Sequence, residues 1–200
     1  MSRGQIMLMT ALIASFLILL LVYGMPLYTH HIVVQDRLKV YYEIRSIALE
    51  ALSLASQSYV CGGDFEESAL RYIASVKKYI AEEDHYLYNI LLSTTFHFKL
   101  TIDENQGLRY TREYRAAFQY GSFKSEYVVT LRILEVHEHY VIIDYRHYSN
   151  IEPMPTVRLE AVDGGILMGN TQIILVMIKR RVLLRDNYGI LLFIELIESR

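Results

Sequence analysis

A short histidine motif is the one group in the sequence whose residue types and spacing suggest metal chemistry. His137-Glu138-His139 places two imidazole rings two residues apart. Residues two apart on a β-strand face the same side of the sheet, so both rings could bind one metal ion, with His147 or Glu135 as a third ligand. The alternative is that His137 and His139 lie in a polar connection where one strand turns into the next. We favour this alternative and predict no metal site.

Other patterns that carry catalysis are missing from the sequence. It contains no glycine-rich phosphate loop, no nucleophile elbow and no pair of cysteines, since Cys61 is the single cysteine. The formal net charge is −2, and no basic stripe with interleaved aromatic residues occurs, which argues against a nucleic-acid partner. The sequence therefore predicts a protein that is not an enzyme and needs no cofactor.

The amino-terminal region contains a long stretch without charged side chains, which lies between Arg3 and Asp36. Its apolar core, from Ile6 to Val22, is close to the length of about 20 residues that crosses a bilayer as a helix. Because lipid offers the backbone no hydrogen-bond partner, the sequence predicts a transmembrane helix over residues 5–28. The lipid bilayer is then the first predicted partner. Gly24 and Pro26 predict a kink in this helix.

Three interpretations of this stretch are open, two from the residues themselves and a third from a family resemblance. It could be a permanent single-span anchor, or a secretory signal cut after Val22-Tyr23-Gly24. It could also be a signal that is trimmed ahead of the apolar run and leaves that run on the mature chain. The last two place the carboxyl-terminal part outside the cytoplasm, and this is the predicted orientation in the cell membrane.

The third interpretation follows from a family resemblance. Arg3-Gly4-Gln5 followed by an unbroken apolar run resembles the class III signal of type IV pilin-like proteins in the archaeal form. The resemblance implies a leader over residues 1–4, a prepilin-type peptidase that cuts between Gly4 and Gln5, and other pilin-like subunits that bind the amino-terminal helix. It covers about the first sixty residues. Met9 departs from the bacterial pattern, in which a glutamate stands at this position.

Helical periodicity continues beyond Pro26 and predicts an amphipathic stem over residues 29–60. Its apolar residues recur at spacings of three, four or seven, and the charged residues fall largely on the opposite side. Gly62-Gly63 should end the stem, and Asp64 with Glu67 should cap a second helix. Glu82-Glu83-Asp84 should begin a third helix, giving a helical insert over residues 61–95.

From Phe96 onward the apolar period changes from about four residues to two, which predicts a mainly antiparallel β domain over residues 96–200. Turns are expected at four places. These are Asn105-Gln106-Gly107, Gly121-Ser122, Asp163-Gly164-Gly165 and Asp186-Asn187-Tyr188-Gly189. The last turn should join one strand over residues 171–184 to another over residues 190–197. The run over residues 173–178 is continuously apolar and should be covered on both faces, with the stem as one candidate cover.

Together these patterns predict an α+β fold: a transmembrane helix, a stem helix, a short helical insert, and an antiparallel sheet packed on the stem. The predicted function is that of a structural or accessory, minor subunit of an archaeal type IV filament. The alternative is a single-span anchored domain outside the cytoplasm that binds a cell-envelope partner or ligand and does not polymerise.

Overall fold

The computed structural model describes residues 13–16, 38–105, 109–150, 158–168 and 173–195. The chain divides into two compact units, Met1–Ile44 and Arg45–Arg200. In the first unit, residues 13–16 and 38–44 are helical, and Val40, Tyr41 and Ile44 are buried. The predicted leader, its cleavage site at Gly4 and Gln5, and the kink at Gly24 and Pro26 lie outside the described residues.

The predicted fold class is wrong in its transmembrane helix. Within the described ranges, no helix is both long enough and apolar enough to cross a membrane. Helix α1, over residues 38–60, carries Lys39, Glu43, Arg45 and Glu50, so it is amphipathic rather than lipophilic. The span predicted over residues 5–28 is described only at residues 13–16. The structure is a mainly antiparallel β-sheet domain with a few helices.

Two further helices follow α1. The predicted cap at Asp64 is confirmed, whereas of the acidic run only Asp84 begins the third helix, because Glu82 and Glu83 end the second. Helix α2 covers Phe65–Glu83, and Asp64 Oδ1 accepts a hydrogen bond of 2.7 Å from the Glu67 amide. Helix α3 covers His85–Ser93, and the Asp84 side chain accepts from the first amides of that helix. Each carboxylate satisfies amide donors that have no partner inside the helix and complements the positive end of its dipole.

Nine strands in the described part of the chain form two antiparallel sheets. They are β1 Thr94–Asn105, β2 Arg109–Tyr120, β3 Phe123–Val136, β4 Tyr140–Ser149, β5 Leu159–Asp163, β6 Gly165–Met168, β7 Ile173–Met177, β8 Arg181–Asp186 and β9 Leu191–Glu195. The larger sheet has the order β1-β2-β3-β4-β7-β6, and the smaller has the order β5-β8-β9. The first four strands form a continuous meander, which accounts for the strict period-two pattern in that part of the sequence.

The predicted last hairpin is partly wrong. Its turn lies where expected, between β8 and β9, but its first arm is two strands in different sheets. Residues 178–180 form a bend between β7 and β8. Asp163-Gly164-Gly165 is likewise a corner between the two sheets and not a hairpin turn, because β5 pairs with β8 while β6 pairs with β7. A side chain at Gly165 would lie 2.9 Å from atoms of both Leu175 and Val182, so glycine allows this close approach.

The core of the second unit lies on the inner face of the larger sheet. Tyr114, Tyr127, Leu131 and Ile143 point inward from neighbouring strands and are almost fully buried. Buried residues of the smaller sheet are Val182, Leu184, Leu192 and Ile194, and those of the helices include Ala51, Leu52, Ala55 and Phe65. The Phe65 ring lies 5.4 Å from the Tyr114 ring, which places α2 on this core.

Candidate functional site

The histidine motif lies in the connection between β3 and β4. His137 Nε2 is 3.2 Å from Glu135 Oε2, and the His137 ring stacks on Tyr140 with 4.3 Å between ring centroids. His139 is exposed. His147, the other ligand considered, is buried and bonds to different residues. Among the residues that the structure describes, no three His, Cys, Asp or Glu side chains form a group that could hold a metal ion.

An extensive polar arrangement in the interior of the second unit centres on Asp186 at the end of β8. One carboxylate oxygen, Oδ1, accepts hydrogen bonds of 2.8 Å from the amides of Tyr188 and Ile190. The carboxylate therefore closes the loop between β8 and β9 on itself. We call residues 186–191 the Asp186 turn. Its sequence signal was the Asp-Asn-Tyr-Gly run, in which the aspartate bonds to backbone amides further along the chain.

The other oxygen of Asp186 connects the turn to the larger sheet. Oδ2 accepts a hydrogen bond of 2.7 Å from the Tyr145 hydroxyl and lies 2.9 Å from His147 Nε2. His147 Nε2 is also 2.8 Å from the Tyr145 hydroxyl oxygen, and its ring stacks on Tyr188. Because Tyr145 and His147 belong to β4, this cluster joins the two sheets through hydrogen bonds.

The residue types in this cluster are those of an acid–base site, but its geometry is that of a structural link. The His147 side chain is 1% exposed and the Asp186 side chain 0%, so no substrate can reach them. The Tyr145 proton points to Asp186, which assigns the His147 proton to Nε2. Burial, reinforced by the negative charge of Asp186, raises the pKa of Tyr145 well above its usual value and keeps its hydroxyl a donor.

Helix α1 is also hydrogen-bonded to the Asp186 turn. Ser53 Oγ donates a hydrogen bond of 2.9 Å to the Gly189 carbonyl, and Ser56 Oγ accepts one of 2.9 Å from the Leu191 amide. Gly189 has φ of +80°, and a side chain there would lie 2.9 Å from Ser53 Oγ. Glycine is thus needed both for the backbone conformation and for the close approach of the helix.

The carboxyl-terminal end of α1 makes a second attachment to the smaller sheet. Arg181 donates a hydrogen bond of 3.0 Å to the Val60 carbonyl, and its guanidinium lies 4.3 Å from the centre of the Phe193 ring. Tyr59 stacks on that same ring. A cation at the end of a helix also complements the negative end of the helix dipole. Both attachments hold the outer half of α1 against β8 and β9.

No family model, curated protein or solved structure matches this chain.

A basic cleft lies beside the end of α1. It has a volume of about 510 Å³ and is lined by Val60, Asp163, Lys179, Arg180, Arg181 and Leu183. Lys179 Nζ is 2.7 and 2.9 Å from the two carboxylate oxygens of Asp163, and this bond lowers the pKa of Asp163. Arg181 is held by the Val60 carbonyl and the Phe193 ring, so Lys179 and Arg181 both have structural partners within the fold.

Sequence patterns did not indicate the Asp186 cluster. Tyr145 and Asp186 are 41 residues apart, and no local spacing connects them. One signal was available in β4, where Tyr145 and His147 continue the alternation that buries Val141 and Ile143. Polar residues on the buried side of a strand need a polar partner, which the sequence alone could not identify.

Proposed function

We propose that this chain is a pilin-like accessory subunit of an archaeal type IV filament. In this proposal the apolar amino-terminal segment, residues 6–22, holds the chain at the cell membrane and later binds other subunits. The second unit lies outside the cytoplasm. Its role is structural, and no reaction is assigned to it.

One observation carries the proposal: a helix that follows the apolar segment has its outer half packed on an antiparallel sheet domain. Ala48, Ala51, Leu52 and Ala55 form the buried side of this half and are at most 1% exposed. A long helix first, with a sheet packed against it afterwards, is the general plan of the family that the leader resembles. The hydrogen bonds of Ser53 and Ser56 fix the side of the outer half of α1 that faces the sheets.

Within the second unit, the outer half of α1 has fixed contacts with the sheets. Hydrogen bonds and ring contacts at Ser53, Ser56 and Tyr59 connect this half of the helix to the sheets. In a filament subunit, the outer half of α1 and the β domain would therefore move as one body.

Processing of the leader gives the first test. If the proposal is correct, the mature chain begins at Gln5, and replacing Gly4 by leucine leaves Met1 or Ser2 as the first residue. Ser2→Ala is the matched control, because it changes the leader without changing the cleavage site. Intact-mass measurement of protein purified from cells gives the result. A mature chain that starts at Met25 in the native protein contradicts the proposal.

Assembly gives the second test, which also distinguishes the proposal from the alternative of an anchored domain that does not polymerise. Mechanical shearing of cells should release the native chain together with filaments, and should leave the Gly4→Leu chain with the membranes. Release is measured by sedimentation followed by quantification of the chain in each fraction. A native chain that is correctly processed but always remains with the membranes supports the alternative, an anchored domain that binds an envelope partner without polymerising.

A further inference from the structure

The basic cleft beside the end of α1 contains a cation that the fold holds in place. The Arg181 guanidinium donates a hydrogen bond to the Val60 carbonyl and lies 4.3 Å from the centre of the Phe193 ring. A guanidinium has five N–H donors in a planar fork. Within the described part of the chain, the Val60 carbonyl is the single acceptor that bonds to this side chain. The other donors of a fixed cation are therefore available to a ligand.

Lys179 supplies a second cation, through an ion pair that a ligand can open. Its Nζ lies 2.7 and 2.9 Å from the two carboxylate oxygens of Asp163, and both side chains are 60% exposed. Ion pairs this exposed are screened by water and contribute little to stability, so a ligand can replace the carboxylate. Asp163 then acts as a built-in counter-ion that competes with an incoming anion for Lys179.

The cleft has room for more than a charged group. Its volume of about 510 Å³ lies within the range of roughly 300–1,000 Å³ that holds small organic molecules. Val60 and Leu183 add apolar atoms to a lining that otherwise consists of charged side chains. The lining therefore fits a compact molecule with one strongly anionic end and a neutral body.

We propose that the cleft binds a phosphomonoester, whose phosphate group bonds to Arg181 and Lys179. The neutral part of the ester lies against Val60 and Leu183. The guanidinium fork matches two phosphate oxygens, and the ammonium group binds a third as a point charge. A carboxylate has only two oxygens and one charge, so it cannot occupy both cations as fully. This inference is independent of the filament proposal.

Equilibrium dialysis with radiolabelled glycerol 3-phosphate tests the proposal, using the full chain reconstituted in phosphatidylcholine nanodiscs. The native chain should bind the ester saturably. Arg181→Gln should raise the dissociation constant about tenfold or more, because the charge and the fork are lost. Asp163→Asn should lower it about threefold, because no carboxylate then competes for Lys179. Acetate at the same ionic strength should not displace the ester, and displacement by acetate would contradict the proposal.

The matched controls come from a second ion pair on the same two strands. Arg185 on β8 and Glu160 on β5 bond at 2.7 Å and do not line the cleft. Arg185→Gln and Glu160→Gln remove the same kinds of charge and should leave the dissociation constant unchanged. Equal shifts from these controls indicate general charge attraction and contradict the proposal. The tighter binding expected of Asp163→Asn cannot result from misfolding, so it remains decisive if Arg181→Gln loosens the end of α1.

Phosphatidic acid added to the nanodiscs identifies the source of the phosphomonoester. If the lipid headgroup is the natural ligand, phosphatidic acid should weaken binding of glycerol 3-phosphate more than the same amount of phosphatidylglycerol, which is anionic but not a phosphomonoester. If a soluble ester is the ligand, the two lipids should have equal effects. A native chain without saturable binding contradicts the proposal. The proposal is also wrong if binding appears only in the Glu198→Gln variant, because an acidic residue of the chain itself then occupies the cleft.

Discussion

At the scale of single residues, Asp186 bonds to four groups in the interior of the second unit. Its two oxygens bind two backbone amides, one tyrosine hydroxyl and one imidazole. A buried carboxylate loses its hydration, and only such a complete set of donors offsets that loss. The residue therefore has a structural role, and its removal should lower the free energy of unfolding much more than removal of an exposed aspartate.

Substitution of Asp186 by alanine tests this role. We expect the free energy of unfolding to fall by about 3–5 kcal/mol, because the amides of Tyr188 and Ile190 and the Tyr145 hydroxyl lose their acceptor inside the protein. Circular dichroism during denaturant unfolding measures the change. Asp163→Ala is the control, since Asp163 makes an exposed ion pair with Lys179. This variant should lower the free energy of unfolding far less. Equal losses would contradict the structural role of Asp186.

Because Tyr114 is buried, we expect the protein to lose stability at high pH. Burial raises the pKa of Tyr114 from 10.0 to about 12. The pKa of Tyr114 is higher in the folded state than in the unfolded state. Its contribution to the free energy of unfolding is therefore complete below pH 10 and is lost as the pH rises from about 10 to 12. Tyr114→Phe should reduce that alkaline loss by on the order of 2 kcal/mol. Unfolding free energies measured from pH 9 to 12 give the result.

The control for this pH dependence is Tyr79→Phe, at a position where the side chain is 68% exposed. This variant should follow the native curve over the whole range. If Tyr114→Phe also follows the native curve, burial of the Tyr114 hydroxyl does not determine the alkaline behaviour. Absorbance of tyrosinate can be recorded on the same samples and shows whether ionisation accompanies unfolding.

At the scale of elements, the attachment of α1 to the Asp186 turn depends on small polar side chains. Ser56→Ala removes the acceptor of the partly buried Leu191 amide, so the free energy of unfolding should fall by about 1–3 kcal/mol. Ser75→Ala is the same substitution at an exposed helical position, where the hydroxyl bonds only within its own helix. It should change stability by less than about 0.5 kcal/mol. Thermal and denaturant unfolding of both variants measure the two changes in the free energy of unfolding.

Several elements could be predicted from sequence because their causes are local. Asp64 and Asp84 begin helices by bonding amides two or three residues away, and Gly121-Ser122 joins two strands that are neighbours in the chain. Each signal lies within a few residues of the structure it determines. The alternation of burial along β3 follows directly from the period of two in its sequence.

Sheet membership could not be predicted in the same way. The run over residues 171–184 has no proline or tight-turn signal, yet β7 and β8 pair with strands of different sheets. What separates them is packing between distant segments, including the contact of Gly165 with Val182. The Asp186 cluster depends on the same long-range arrangement, since it joins β4 to the turn after β8. No pattern within a short window contains that information.

At the scale of the whole second unit, the Asp186 turn connects three bodies that otherwise meet mainly through apolar packing: α1, the smaller sheet and the larger sheet. Apolar contacts are not directional, whereas the hydrogen bonds of Asp186, Ser53 and Ser56 have defined geometry. The turn should therefore make the three bodies open together. A unit with this property responds to load on the outer half of α1 as one piece.

Hydrogen exchange under native conditions can measure this cooperativity. In the native chain, slow amides of α1, β4 and β8 should exchange with a common opening free energy. Asp186→Asn keeps an acceptor for the turn amides but removes the charge that holds Tyr145 and His147. It should therefore lower the opening free energy of β4 and β8 together. Glu126→Gln, which removes the ion pair between Glu126 and Arg115, should alter exchange only near β2 and β3. Separate opening free energies for α1 and the two sheets in the native chain would show that the turn does not couple them.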